Sequence, residues 1–205
     1  MTESVMSVNC TLQDGIWHIF INRPHKRNAL TIPMFLAIAQ GLQEADERND
    51  VRGVLVTGAG EIFCGGHDLD SFGQWPQQFN DPVPTFLRAI ANVRKPIVIA
   101  VNGSATGIGA TWLLHADWVV TSAEATFRFP FIDLGIVPEA ASTLLLPHAL
   151  GLPRAKRLLF GGEKFTGLDA YQWGLIAELV DSAEVISTAW VRAKMLASKD
   201  PVIFR

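Results

Sequence analysis

Residues 96–109 read PIVIAVNGSATGIG: a proline, five apolar residues, then a turn carrying three glycines. A short apolar run rich in β-branched residues and closed by glycine reads as a strand buried on both faces. The continuation, ATWLLHA (110–116), looks like the start of a helix. The same form occurs upstream, where VRGVLVTG (51–58) runs into the glycine-rich GAGEIFCGGHDLDSF (58–72). Buried strands that alternate with helices call for an α/β fold with parallel pairing at its centre.

The rest of the chain fits around these two units. VMSVNCTL and IWHIFIN flank Asp14-Gly15, a hairpin signal. RPHKRNA (23–29) is a polar loop with three basic residues, and from Thr31, read as an N-cap, Met34, Phe35, Ile38, Leu42 and Ala45 fall at helical spacing. PTFLRAIANVRK (84–95) is a helix stopped by Pro96, and DWVVTS (117–122) and ATFRFP (125–130) are short strands. AASTLLLPHAL (140–150), PRAKRLLF (153–160), LDAYQWG (168–174) and AEVISTAWVRAKMLAS (183–198) are helices, with the strand LIAELV (175–180) before the last. GQWPQQFNDP (73–82) has a loop composition and is expected to be mobile. No internal repeat or low-complexity segment stands out.

The 205 residues, 49% of them hydrophobic, can bury one sizeable core, so one domain spanning 1–205 is expected. Its core is read as about 5–182, with 183–205 as the start of a C-terminal helical region. The 17 Lys+Arg and 20 Asp+Glu give a net charge of -3 with no long block of one sign, which argues against nucleic-acid or membrane-surface binding. No apolar run approaches the ~18–20 residues of a membrane span. Two cysteines and an N-terminus without a basic, apolar leader point to a cytoplasmic protein.

Each glycine turn opens a helix, where backbone N–H groups lack intrahelical partners. Two such donors converging on one oxygen would form an oxyanion hole; equally, the glycines could serve only tight turns and close packing. Other motifs fail. Gly107-Ile108-Gly109 lacks the third glycine of a dinucleotide loop, no Gly-Lys-Ser/Thr follows a strand, and Ser104 is not in a G-x-S-x-G elbow. His67, Asp68 and Asp70 lack a further His or Cys at ligand spacing, so no metal site is read there.

INRPHKRNAL (21–30), FCGGHDL (63–69), KPIVIAVNGSATGIG (95–109), ADWVVTSAEATFRFPFIDLGIVPEAAST (116–143) and GLIAELV (174–180) follow in order. Together they resemble the crotonase, or enoyl-CoA hydratase/isomerase, superfamily over roughly residues 5–200. The resemblance implies a ClpP/crotonase-like spiral of ββα units, acyl-CoA thioester substrates, no cofactor beyond the coenzyme A of the substrate, and a homotrimer or dimer of trimers. It also implies further C-terminal helices beyond DPVIFR, so the C-terminal helical region reads as truncated. By position, Arg23, Lys26, Ala29, Gly65, Gly66, Asp68, Leu69 and Phe131 would meet CoA or substrate, with Asp68 and Asp70 also suited to capping the following turn. The backbone N–H groups of His67 and Ile108 would be the oxyanion donors. The His67 side chain is either a bystander beside the acyl channel or an active group.

The two glutamate positions of the family's hydratases hold Thr111 and Phe131 here, and neither can ionise in the working pH range. Glu139, in GIVPEAAST (135–143), matches instead the single catalytic glutamate of the family's Δ3,Δ2-enoyl-CoA isomerases. An apolar setting would raise its pKa toward that of a useful base, whereas a helix start would favour its ionised form. Asp133 is a backup acid. The resemblance thus implies an isomerase. The alternatives are another crotonase reaction, such as enoyl-CoA hydration or thioester hydrolysis, and a non-catalytic acyl-CoA binder.

Overall fold

Asp14 and Gly15 both take positive φ, 51° and 78°, and fold the expected hairpin. It joins β1 (Val8–Gln13) to β2 (Ile16–Ile21) in antiparallel register. The computed structural model describes residues 7–72 and 78–200. Val5 and Met6 of the expected first strand, residues 73–77 of the expected mobile loop, and the closing segment 201–205 lie outside them.

After the hairpin a ββα unit recurs. α1 (Ile32–Glu47) is followed by β3 (Gly53–Gly58), β4 (Ile62–Cys64) and α2 (Pro82–Asn92), then β5 (Ile97–Val101), β6 (Ser104–Thr106) and α3 (Ile108–Thr111). β7 (Trp118–Thr121) and β8 (Thr126–Arg128) lead through a long loop to α4 (Ser142–Leu150) and α5 (Leu152–Gly161). β9 (Lys164–Thr166), α6 (Gly167–Gln172), β10 (Glu178–Leu179) and α7 (Val185–Ala197) complete the order. The first strand of each pair enters a six-stranded sheet, β1-β2-β3-β5-β7-β10, parallel from β2 onward. The second strand enters a four-stranded sheet, β4-β6-β8-β9. The chain thus spirals between two sheets, as the resemblance implies. The unit recurs in structure although its copies share no recognisable sequence.

The long apolar strands have both faces covered. Val54 and Val56, and Ile97, Ile99 and Val101, pack into the main core, which also holds Phe63, Trp112 and Phe127. Leu55, Val98 and Ala100 point the other way, against Val185, Ala189 and Ala193 of α7. Alternation within an unbroken apolar run is what a two-sided parallel sheet needs. By this packing α7 is part of the core, so the buried framework extends past residue 182.

Three local expectations change. β4 and β6 fall in stretches expected to be glycine turns, and β9 in a stretch expected to hold no element; at three residues each they are too short to show a period-2 pattern. β10 keeps only two of the six residues expected to be strand. Thr31 holds the N-cap of α1, but its hydroxyl makes no capping bond. Pro33, the second helical residue, removes one of the two amides such a cap would bond.

Candidate active site

The two glycine turns pack against each other. Gly66 (φ 97°) lies so close to the second turn that a Cβ there would sit 2.9 Å from the Thr106 carbonyl oxygen. Gly107 (φ 55°) would place its own Cβ 3.9 Å from the Gly66 Cα. Gly66 needs glycine for both φ and approach, and Gly107 for φ, since a Cβ at 3.9 Å is an ordinary contact. His67 forms a parallel bridge with Leu30: Leu30 N–H donates to Gly66 O (2.7 Å) and Asp68 N–H to Leu30 O (2.9 Å). Successive amides of an extended segment face opposite sides, so the His67 N–H points away from Leu30. Ile108 is the first residue of α3, and its N–H has no acceptor within the helix. Two backbone donors from adjoining turns therefore border one space.

That space is a cavity of about 520 Å³. Phe35 of α1 and Val83 and Leu87 of α2 form one wall; Phe131, Leu134 and Ile136 of the loop after β8 form another. Of the residues singled out in the sequence, Gly65, Gly66, His67, Leu69, Ile108, Phe131 and Glu139 border it.

Glu139 lies in a strained turn ahead of α4. Ala140 and Ala141 both have φ 52°, the left-handed region that costs an L-residue on the order of 1–2 kcal/mol. The Glu139 carbonyl accepts bonds from the Ser142 amide (3.0 Å) and hydroxyl (2.6 Å). Its side chain reaches the cavity, where Thr111 Oγ1 donates to Oε1 at 2.7 Å. Burial pushes the carboxyl pKa up to about 7, against the Thr111 bond, which lowers it. Because α4 begins at Ser142, Glu139 stands before the helix and outside its first turn. The helix-start reading of this acid is thereby corrected: burial governs it.

His67 presents its amide toward the cavity, and its ring lies edge-to-face with Phe35 and Phe72, at 4.9 and 5.0 Å between centroids. Nε2 is enclosed and has no hydrogen-bond partner among the described residues. Burial pushes the imidazole pKa down, against an upward pull from Asp68, which favours the neutral ring.

The first loop is held by polar contacts within the protein. The Arg23 guanidinium pairs with the Asp68 carboxylate and donates to Ala29 O (3.1 Å), so both charged groups are spent within the protein. Burial is the largest influence on Asp68 and pushes its pKa up. Arg23 and the Asp70 amide together outweigh it and hold the carboxyl below its usual value. As read, Asp68 also caps the turn Leu69–Ser71. Lys26 is exposed, 3.5 Å from Asp70. His67, Asp68 and Asp70 therefore do not converge on a common point. Asp133, the backup acid, sits on the surface bonded to Arg128 at 2.6 Å.

Two residues of this region were not singled out for what they do. Asn28 is fully buried in left-handed conformation, donates to Ala59 O and Ile62 O, and accepts from the Arg23 amide; it locks the first loop onto β4. Asparagine's tolerance of that conformation was the available signal. Thr111 is legible in sequence as a replaced carboxylate in a turn like that of the isomerases, but its bond to Glu139 joins residues 28 apart, which no local pattern reveals.

A family model described as enoyl-CoA hydratase/isomerase matches residues 11–205. The chain is 35% identical over 202 residues to the mouse protein named enoyl-CoA delta isomerase 3, peroxisomal, covering 95% of this chain and 63% of that one. It is 36% identical over 174 residues to enoyl-CoA hydratase ACTT3 of Alternaria alternata, covering 83% and 59%. The chain thus spans less than two thirds of the length of either relative. The solved structure of Pseudomonas aeruginosa OdaA superposes with a TM-score of 0.91 at 38% identity, covering 97% of this chain and 81% of that one. With the ββα spiral, the paired glycine turns and a match over nearly its whole length, the chain belongs to the enoyl-CoA hydratase/isomerase family and has its crotonase fold.

Proposed function

We propose that the protein is a Δ3,Δ2-enoyl-CoA isomerase, with Glu139 as its acid and base. The observation that carries this reading is that Glu139 is the only carboxylate among the described residues that border the cavity. Hydration by the family's two-carboxylate route needs a second, and Thr111 and Phe131 stand where it would be.

In this reading the thioester oxygen of a 3-enoyl-CoA accepts from the His67 and Ile108 amides, and Glu139 faces C2 and C4. Removing the C2 proton leaves a dienolate whose charge rests on the thioester oxygen. Each amide held at that oxygen is worth on the order of 3 kcal/mol in the transition state. Glu139 then returns the proton at C4, and the double bond lies between C2 and C3. The proton removed is the proton returned, so the step is redox-neutral and consumes no co-reactant. A carboxyl near pH 7 suits both halves, because a base chosen near the working pH is also a competent acid. Lys26, Ala29, Gly65, Gly66 and Leu69 would meet the CoA moiety, with Arg23 and Asp68 holding that loop in place. Cytoplasmic residence and a homotrimer or dimer of trimers belong to the same proposal. Among the described residues no helix is long and apolar enough to cross a membrane.

A second reading, hydration, is favoured by the likeness to the Alternaria hydratase. Product analysis separates the two. Incubation with a 3-enoyl-CoA should generate the conjugated 2-enoyl absorbance, and crotonyl-CoA should be left unhydrated. Rapid loss of the crotonyl absorbance would reverse the order of preference, and no conversion of either substrate would favour an acyl-CoA binder.

A further inference from the structure

Thr111 is fully buried and has three oxygens near its hydroxyl: Glu139 Oε1 at 2.7 Å, Gly107 O at 3.3 Å and Ile108 O at 3.4 Å. A helical threonine often sends its proton to a carbonyl one turn back. Here those two contacts are long and the carboxylate contact is short, and an ionised acceptor gives the stronger bond. A hydroxyl has one proton, so the bond to Glu139 excludes the other two while the carboxylate is charged. The carbonyls it passes over belong to Gly107 and Ile108, the turn that also carries the Ile108 amide. One buried hydroxyl in the helix that follows the glycine turn therefore holds the acid.

We infer that Thr111 is the positioning residue of the proton shuttle, fixing Oε1 of Glu139 so that Oε2 alone faces the substrate in both half-reactions. The inference rests on the isomerase reading and deepens it. In the first half the C2–H bond breaks: its electron pair enters the dienolate and its proton goes to Oε2. In the second half the C3=C4 pair forms the C4–H bond and takes that proton back from Oε2. Oε1 accepts from Thr111 throughout. Without this anchor the carboxyl can turn about its own bond, and the proton can leave the face on which it was collected. The reaction stays balanced in either case. What Thr111 adds is that one oxygen collects and delivers.

Thr111→Val keeps the shape and removes the donor; Thr111→Ser keeps the donor. For Thr111→Val, kcat is expected to fall by about tenfold or more, with KM within about twofold. The acidic limb of its kcat–pH profile should move to higher pH, because losing a bond to the ionised carboxyl leaves burial unopposed. With a 3-enoyl-CoA deuterated at C2, less label should arrive at C4 and more should exchange with water. Thr111→Ser should restore the pH profile and the label transfer. Circular dichroism and Tm check that each variant is folded. If Thr111→Val keeps the wild-type pH profile and label transfer while Glu139→Ala is inactive, the inference fails and the shuttle stands. A loss of kcat with no shift of the acidic limb and no rescue by serine also overturns it, as a packing effect. Turnover by Glu139→Ala would overturn both.

Discussion

In the proposed isomerase the buried Glu139 carboxyl serves the chemistry but opposes stability once it ionises. Its carboxyl is moved from 4.5 to about 7 by burial, so the folded protein holds this proton more tightly than the unfolded chain does. The favourable contribution is complete below about pH 4.5 and is lost as pH rises through 7. The full difference is about 3 kcal/mol at 1.36 kcal/mol per pKa unit. Glu139→Gln keeps the size and the acceptor for Thr111 and cannot ionise. It is expected to abolish turnover and to raise Tm at pH 8, with the gain shrinking to near zero at pH 4.5. A variant less stable than wild type at pH 8 would mean that this site does not oppose the charged form. The sequence showed the acid's apolar neighbours and its match to an isomerase position. It did not show that two left-handed alanines keep Glu139 off the helix, because sequence spacing alone carries no φ values.

The elements around Glu139 are held by backbone geometry more than by side-chain chemistry. Gly66 and Gly107 bring the amides of His67 and Ile108 to a common space, and glycine in each turn was enough for the sequence to suggest this convergence. The loop between β8 and α4 was less legible. Its turn is closed by Ser142 bonding back to the Glu139 carbonyl, at the expense of strain in Ala140 and Ala141. Ala141 is exposed, so Ala141→Gly changes little packing. It should relieve about 1 kcal/mol of strain and raise Tm by roughly 2–4 °C. It should also lower kcat several-fold by loosening the base, with KM nearly unchanged. A lower Tm would show that the turn is not strained as described. The first loop gave the opposite lesson. Its basic residues looked like ligand contacts, yet Arg23 turns inward to Asp68, a pairing between residues 45 apart that composition could not foretell.

Across the whole molecule, the long two-sided strands of the large sheet were legible because both faces are apolar. Most of the small sheet was not, since β4, β6 and β9, at three residues each, carry too few positions for a pattern; β8, equally short, was legible within ATFRFP. The surface of α4 and α5 keeps Leu144 at 70% and Phe160 at 63% exposed, and Val137 nearby in sequence at 83%. Apolar side chains exposed to this degree on successive elements support the proposed self-association. Sedimentation or light scattering of the purified chain should give a trimer or hexamer, and Leu144→Glu with Phe160→Glu should shift it toward monomer. A wild-type monomer at micromolar concentration would contradict the proposed assembly without touching the chemistry of Glu139.

In the proposed reaction one carboxylate, Glu139, moves one proton between two carbons of an acyl thioester. The most direct measurement is the rise of 2-enoyl absorbance from a 3-enoyl-CoA, with wild type and Glu139→Ala compared at equal CoA occupancy. Wild type should turn over and Glu139→Ala should not, with CoA binding preserved in both. Wild-type turnover persisting in Glu139→Ala would contradict this role of Glu139.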